Sequence, residues 1–181
     1  MRQLSITLAS LASAGLCILL ALIPSDLNAA ALGEPLAIIV HKNSPVDSVT
    51  SDDLRKFCLG EKRHWSNNRK VTIVLREPGQ TERVAILHQV YGMNESEFKR
   101  HFLQATFTGE LQGAPKELST GLGVRRFVFN VPGALGFVRM SDVDSSVKIL
   151  KLDGLAPTNS GYRLIVAPNQ VGDLKQLNSL P

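Results

Sequence analysis

Leu36 to Val40, inside PLAIIVHK (Pro35 to Lys42), is an unbroken apolar run rich in β-branched residues. Such a run reads as a buried strand. It constrains the fold most, because a buried strand needs other elements packed over it. The segments that follow supply them. NSPV ends the strand, and TSDDLRKFCLG reads as a helix. Thr50 or Ser51 caps it, Asp52 and Asp53 suit its positive N-terminus, and Gly60 closes it. Leu54, Phe57 and Cys58 share one apolar face of that helix.

The alternation continues along the chain. Glu61 to Lys70 is a polar loop around Trp65, and VTIVL (Val71 to Leu75) is a second strand. TERVAILHQVYG reads as a helix capped by Thr81 and closed by Gly92, with Val84, Leu87 and Tyr91 inward. Asn94 caps the next helix, which carries Phe98 and Phe102. Pro115 to Asn130 reads as a weaker helix with Leu118, Leu122 and Val128 as core residues. PGALGFV (Pro132 to Val138) turns into a short buried strand, SVKILKL (Ser146 to Leu152) is another strand, and GYRLIVA (Gly161 to Ala167) is the last. NQVGDLKQLNS suggests a terminal helix. Strands alternating with helices, and no Pro/Gly linker, point to one α/β domain.

The first thirty residues read differently. Arg2 precedes an apolar stretch from Ile6 to Ile23, Pro24 and Ser25 break it, and NAAA offers small residues for cleavage. This is the pattern of a secretory signal peptide covering residues 1–30, and the domain then spans 31–181. A retained membrane anchor is the rival, since the run is long enough to span a bilayer. The Ser, Ala and Gly within the run and its AxA-like end favour cleavage. Export places the domain in the periplasm. About 150 residues remain after cleavage, enough for one core. Cys58 is then the only cysteine and reads as a buried structural thiol. The formal net charge of +4 is far below the density of a nucleic-acid binder.

The chemistry-bearing stretch is VLREPGQTER (Val74 to Arg83), a strand end, an arginine, a Pro-Gly turn, a threonine and a helix start. Arg76 offers a bidentate fork. Gly79, Gln80 and Thr81 lie where free N–H groups of a helix N-terminus gather. The same residues fit an ordinary turn, with Thr81 only capping and Arg76 paired to Glu77, Glu82 or Asp53. His41, His64, His88 and His101 show no metal-ligand spacing, and no nucleophile elbow or P-loop is present. Arg125 and Arg126 in GLGVRR read as the solvated face of a helix. Trp65 fits either a binding platform or a hydrophobic plug. No catalysis, cofactor or metal is expected.

Taken together, the segments from Ile38 to Glu82 resemble the second lobe of the periplasmic phosphate-binding proteins of ABC transporters, type 2 periplasmic binding proteins. Asn43, Pro45, Leu54, Phe57, Gly60, Trp65 and Arg76 match that family's strand, Asn-Pro turn, helix, Trp loop and arginine-bearing anion loop. PGALGFV resembles the family's P-G-A-I-G-Y turn, and VKILKLDGLAPTNSGYRL its closing segment. The resemblance implies an α/β fold in the form of a single lobe, a mixed sheet flanked by helices. It implies phosphate or a related oxyanion as ligand, held by Arg76, Gly79, Gln80 and Thr81, with Ser44 as a further candidate at a turn near the lobe edge. It also implies an ABC permease as partner.

Two departures accompany it. The family's loop is R-x-x-x-S-G-T; this chain has Arg76-Glu-Pro-Gly-Gln-Thr81, one residue shorter and without the serine. The family's N-terminal half-lobe has no counterpart before the strand from Pro35, which leaves the ligand one wall instead of two. The alternative function is therefore a non-transport interaction or sensory module. Its exposed cleft face would bind another periplasmic protein or a second copy of the chain.

Overall fold

A computed structural model describes residues 33–167. The expected signal peptide and terminal helix lie outside the described residues. Seven strands form one mixed sheet: β1 (Glu34–His41), β2 (Ser48–Val49), β3 (Thr72–Arg76), β4 (Lys116–Leu118), β5 (Ala134–Arg139), β6 (Val147–Leu152) and β7 (Ile165–Val166). Their spatial order is β2-β6-β1-β5-β3-β4, with β7 pairing β1. β3 runs parallel to β4 and β5, while β1 is antiparallel to β5, β6 and β7.

The apolar run of β1 is explained by layers on both faces of the sheet. Leu36, Ile38 and Val40 face a core built with α1 (Ser51–Leu59), α2 (Thr81–Ile86) and α3 (Glu95–Phe107). Ala37 and Ile39 face the opposite core, closed by Val124 and Val128 of α4 (Gly121–Asn130). Successive side chains of a strand point to opposite faces, so both sets must be apolar. Gly136 in β5 lets α4 come close, because a Cβ there would lie 2.7 Å from a methyl of Val124.

The helix ends form as expected from their caps. The Thr50 hydroxyl accepts from the Asp53 N–H at 3.1 Å, and Gly60 closes α1 at φ +77°. Asn94 and Glu97 form a reciprocal capping box on α3. α2 differs. Thr81 is its first helical residue, and Gln80 holds the cap position without a side-chain capping bond. The helix then widens into a π turn at Leu87–Tyr91 before Gly92. That widening shifts the helical phase. Ala85, Ile86, Leu87, Val90 and Tyr91 are buried, while Val84 is only half-buried.

Three further expectations are corrected. Residues 116–118 form β4 rather than helix, because they add to the open edge of β3. Thr120 then caps α4 through the Gly123 N–H at 2.9 Å, and this start sets the helix phase. Val124 and Val128 face inward, Leu122 is exposed and Leu118 half-buried. The last strand is shorter than expected, since only Glu34 and Pro35 of β1 pair with it. Arg125 is not a solvated helix residue. It is half-buried, pairs with Asp144 at 3.2 Å and donates to the Asp142 carbonyl. Trp65 is a plug, packed 4.8 Å from Phe57 with its indole N–H on the Gly133 carbonyl at 3.0 Å. Cys58 is buried, and that burial pushes its thiol up to about 12.

One charged residue lies at the centre of this architecture. Arg83, on α2, is 1% exposed. Its Nε and Nη2 donate to both Glu95 oxygens at 2.8 and 3.0 Å. Nη1 meets the Arg76 carbonyl at 2.9 Å and Glu117 at 2.8 Å, and the guanidinium lies 4.8 Å from the Phe98 ring centre. It ties α2 to β3, β4 and α3. Replacing it removes the partner of the Glu117 carboxylate and of the Arg76 carbonyl and leaves Glu95 only a long contact to Lys99 at 3.8 Å. Arg83→Met is expected to lower unfolding stability by about 3 kcal/mol, less than a fully buried pair would lose because water still reaches both glutamates. A urea-unfolding midpoint within error of the parent would contradict this role.

Candidate functional site

β3 delivers Arg76 to the rim of the sheet, where the chain makes a tight turn. The Glu77 N–H bonds to the Leu118 carbonyl at 3.1 Å, fixing the exit of β3 against β4. The Gln80 N–H reaches back to the Glu77 carbonyl at 3.4 Å. Gly79, at φ +84°, supplies the left-handed residue this turn requires, and the space where its Cβ would lie is open. The Arg76 Nη2 donates to the Gln80 side-chain oxygen at 2.8 Å. Its Nε is buried without a hydrogen-bond partner among the described residues. Among the described residues Arg76 makes no ion pair, so neither Glu77, Glu82 nor Asp53 neutralises it by contact.

β5, parallel to β3, ends at the same rim and brings Arg139 there. Arg139 spends its donors on three groups: Nε on Glu82 at 2.8 Å, Nη1 on Glu34 at 2.6 Å and Nη2 on the Thr81 hydroxyl at 2.7 Å. The Thr81 hydroxyl donates to the other Glu82 oxygen at 3.3 Å. Ser141 donates to the second Glu34 oxygen at 2.8 Å. The Glu82 carboxylate thus sits at the start of α2, held by a guanidinium and a hydroxyl, in the kind of place that suits an anion.

Burial alone would raise the Glu82 carboxyl. The Arg139 hydrogen bond, Glu82's own backbone N–H and the charges of Arg139 and Arg76 outweigh it and hold the group below the usual carboxylate range. Glu34 follows the same logic: burial raises it, and Arg139 and Ser141 more than reverse that. Arg76 and Arg139 together balance Glu34 and Glu82 in formal charge.

Arg76, Gly79, Gln80 and Thr81 are therefore brought together on one turn. Ser44 is not. β1 is antiparallel to β5, with Leu36 opposite Arg139 and Val40 opposite Leu135. The turn after β1 consequently lies at the other rim, about 15 Å of strand away. There the Ser44 hydroxyl accepts from the Val46 N–H at 3.3 Å, and its carbonyl accepts from Lys148 at 2.9 Å. Arg139, Glu34 and Ser141 were not legible as site residues. An arginine closing the strand of PGALGFV was the one available signal for Arg139.

No family model matches the sequence. The structure is similar to a number of solved proteins, of which three follow. One is described as a phosphate ABC transporter substrate-binding protein with bound phosphate, from Clostridium perfringens. It matches at TM-score 0.60 and 24% identity, over 72% of this chain and 52% of that one. A second is an ABC-type phosphate transport receptor from Vibrio cholerae, at TM-score 0.55 and 19% identity, over 82% and 63%. The third is PstS from Borrelia burgdorferi, at TM-score 0.58 and 16% identity, over 80% and 61%. The chain thus spans between half and two thirds of the length of these proteins. The likeness establishes the fold, an α/β lobe of the periplasmic-binding-protein type.

The rim carboxylates make stability pH-dependent with a definite sign. Both have folded pKa values below their ordinary 4.5. Their contribution is complete above that pH and is lost as pH falls through the lowered folded values. Thermal melts from pH 6 to pH 3 should show Tm dropping most steeply below about pH 4.5. Glu82→Gln should lower Tm by about 4 °C at pH 6 and flatten the acid-side fall. An unchanged slope in that variant would contradict the coupling.

Proposed function

We propose that the chain is an exported solute-binding module that takes phosphate or a related oxyanion at the rim of β3, with Arg76 as its charge partner. Residues 1–30 act as the export signal, 31–181 form the binding domain, and the destination is the periplasm. The observation that carries this reading is the state of Arg76. Among the described residues it has no ion pair, its Nε is a buried donor with no partner, and Nη2 donates to a neutral amide. An unpartnered buried donor costs about 1–3 kcal/mol, a cost that an incoming oxyanion would relieve. The open space over Gly79 lets an anion approach the backbone. Gln80 and Thr81 supply the neighbouring polar groups. The similarity to proteins described as phosphate receptors supports phosphate as ligand and an ABC permease as partner.

A second reading rests on Glu82. Its carboxylate already takes donors from Arg139 and Thr81, and with Glu34 and the exposed Glu77 on the same turn the rim's carboxylates outnumber its two arginines, so an added anion is not favoured by net charge. A lobe with its seat filled in this way would serve as an interaction or sensory module, and its rim would meet a periplasmic protein or a second copy.

Calorimetric titration of the purified protein with phosphate, sulfate and molybdate separates the two. The first reading expects saturable binding that Arg76→Ala weakens at least tenfold, as loss of a charged hydrogen bond would. It also expects Glu82→Gln to tighten binding, and added salt to weaken it. Absence of heat with every oxyanion, in the parent and in Glu82→Gln alike, overturns it. A concentration-dependent dimer by sedimentation would then favour the second reading.

A further inference from the structure

At the opposite end of β3 the lobe carries a cleft of about 430 Å³. It lies between the end of α1, α3 and the loop that leads into β4. The volume falls within the range of small-molecule pockets. Its floor is apolar and aromatic: Phe57, Ile73 and Phe102 line it, and each is buried. Its rim is basic: Arg63, Lys70 and Lys116 line it, and all three are exposed. Thr72, the first residue of β3, belongs to this cleft, whereas Arg76, the last, belongs to the anion turn. The two sites are therefore separate.

The charge on this rim is not compensated. Among the described residues no Asp or Glu lines the cleft. Lys62, also at its edge, is already paired with Asp53 at 3.0 Å. Arg63 donates to the carbonyls of Gly60 and Glu110, and Lys70 to the Gln112 amide at 2.7 Å. These partners are neutral, so the cationic charge stays available. Lys116 has no ion pair among the described residues. An aromatic floor beneath unpaired cations selects a ligand with an anionic head and an apolar body. Inorganic phosphate has no apolar part to cover that floor.

We propose that this cleft binds an amphipathic organic monoanion, its carboxylate or sulfonate at Lys70 and Lys116 and its apolar body on Phe57, Ile73 and Phe102. The chain's single tryptophan reports on the site, since Trp65 packs 4.8 Å from Phe57. The test is titration of the purified protein with 1-anilinonaphthalene-8-sulfonate, reading energy transfer from Trp65 to the bound dye. Saturable transfer is expected. A double variant, Lys70→Glu with Lys116→Glu, should weaken it at least tenfold while keeping the parent's circular dichroism, because both side chains are exposed. Octanoate should displace the dye and 1-octanol at equal concentration should not. Binding that is unsaturable, equal in the double variant, or displaced equally by the alcohol overturns the proposal.

Discussion

The buried Arg83 guanidinium is the contact on which the geometry of the rim depends. Its donors reach Glu95 on α3, Glu117 on β4 and the carbonyl of Arg76 itself. A buried charge is tolerated only when its donors are satisfied, so these contacts restrict how the three elements pack together. The carbonyl contact fixes the backbone of the residue whose side chain faces the anion turn. α2 is short before it widens at Leu87, and its N-terminal turn has no side-chain cap. Its position therefore comes from this ion-pair node and from the packing of Ala85 and Ile86, more than from local helix signals.

The two rim arginines next to that node play different parts. Arg139 is paired with Glu34, Glu82 and Thr81, and so links the start of β1, the end of β5 and the start of α2. Arg76 has only a neutral partner. The contrast means that the rim is at once structurally closed and chemically unfinished. An anion approaching Arg76 also meets the field of Glu82, only partly offset by Arg139. Under the proposed function, an oxyanion at Arg76 would compete with this internal carboxylate. The balance depends on local dielectric and salt rather than on the number of donors.

Much of this was legible in the sequence. β1, α1, α3, β5 and β6 follow from contiguous patterns: apolar runs, caps at Thr50 and Asn94, and glycines that close or turn the chain. The order of motifs around Trp65, Arg76 and PGALGFV carried the resemblance to phosphate-binding lobes, and the fold agrees with it. What was missed shares one cause. Residues 116–118 become a strand only because the edge of β3 is open to them. Ser44 lies on the rim opposite Arg76 because β1 runs against β5, and strand direction is not written in a local pattern. Glu34 and Arg139 are 105 residues apart and meet only through β1–β5 pairing.

By itself the sequence determined the alternation of strand and helix, the burial of β1, and the grouping of Arg76, Gly79, Gln80 and Thr81 on one turn. These depend on neighbours within a few residues, where backbone preference and side-chain period act directly. The tertiary structure alone decided which charges answer which. Arg76 keeps an unpartnered donor, Arg139 spends its donors on Glu34, Glu82 and Thr81, and Arg83 is buried among Glu95, Glu117 and a strand carbonyl. The physical reason is that the strength of an ion pair depends on distance and dielectric. Both are set by the pairing of β1 with β5, the parallel rim of β3, β4 and β5, and the layer of helices that excludes water.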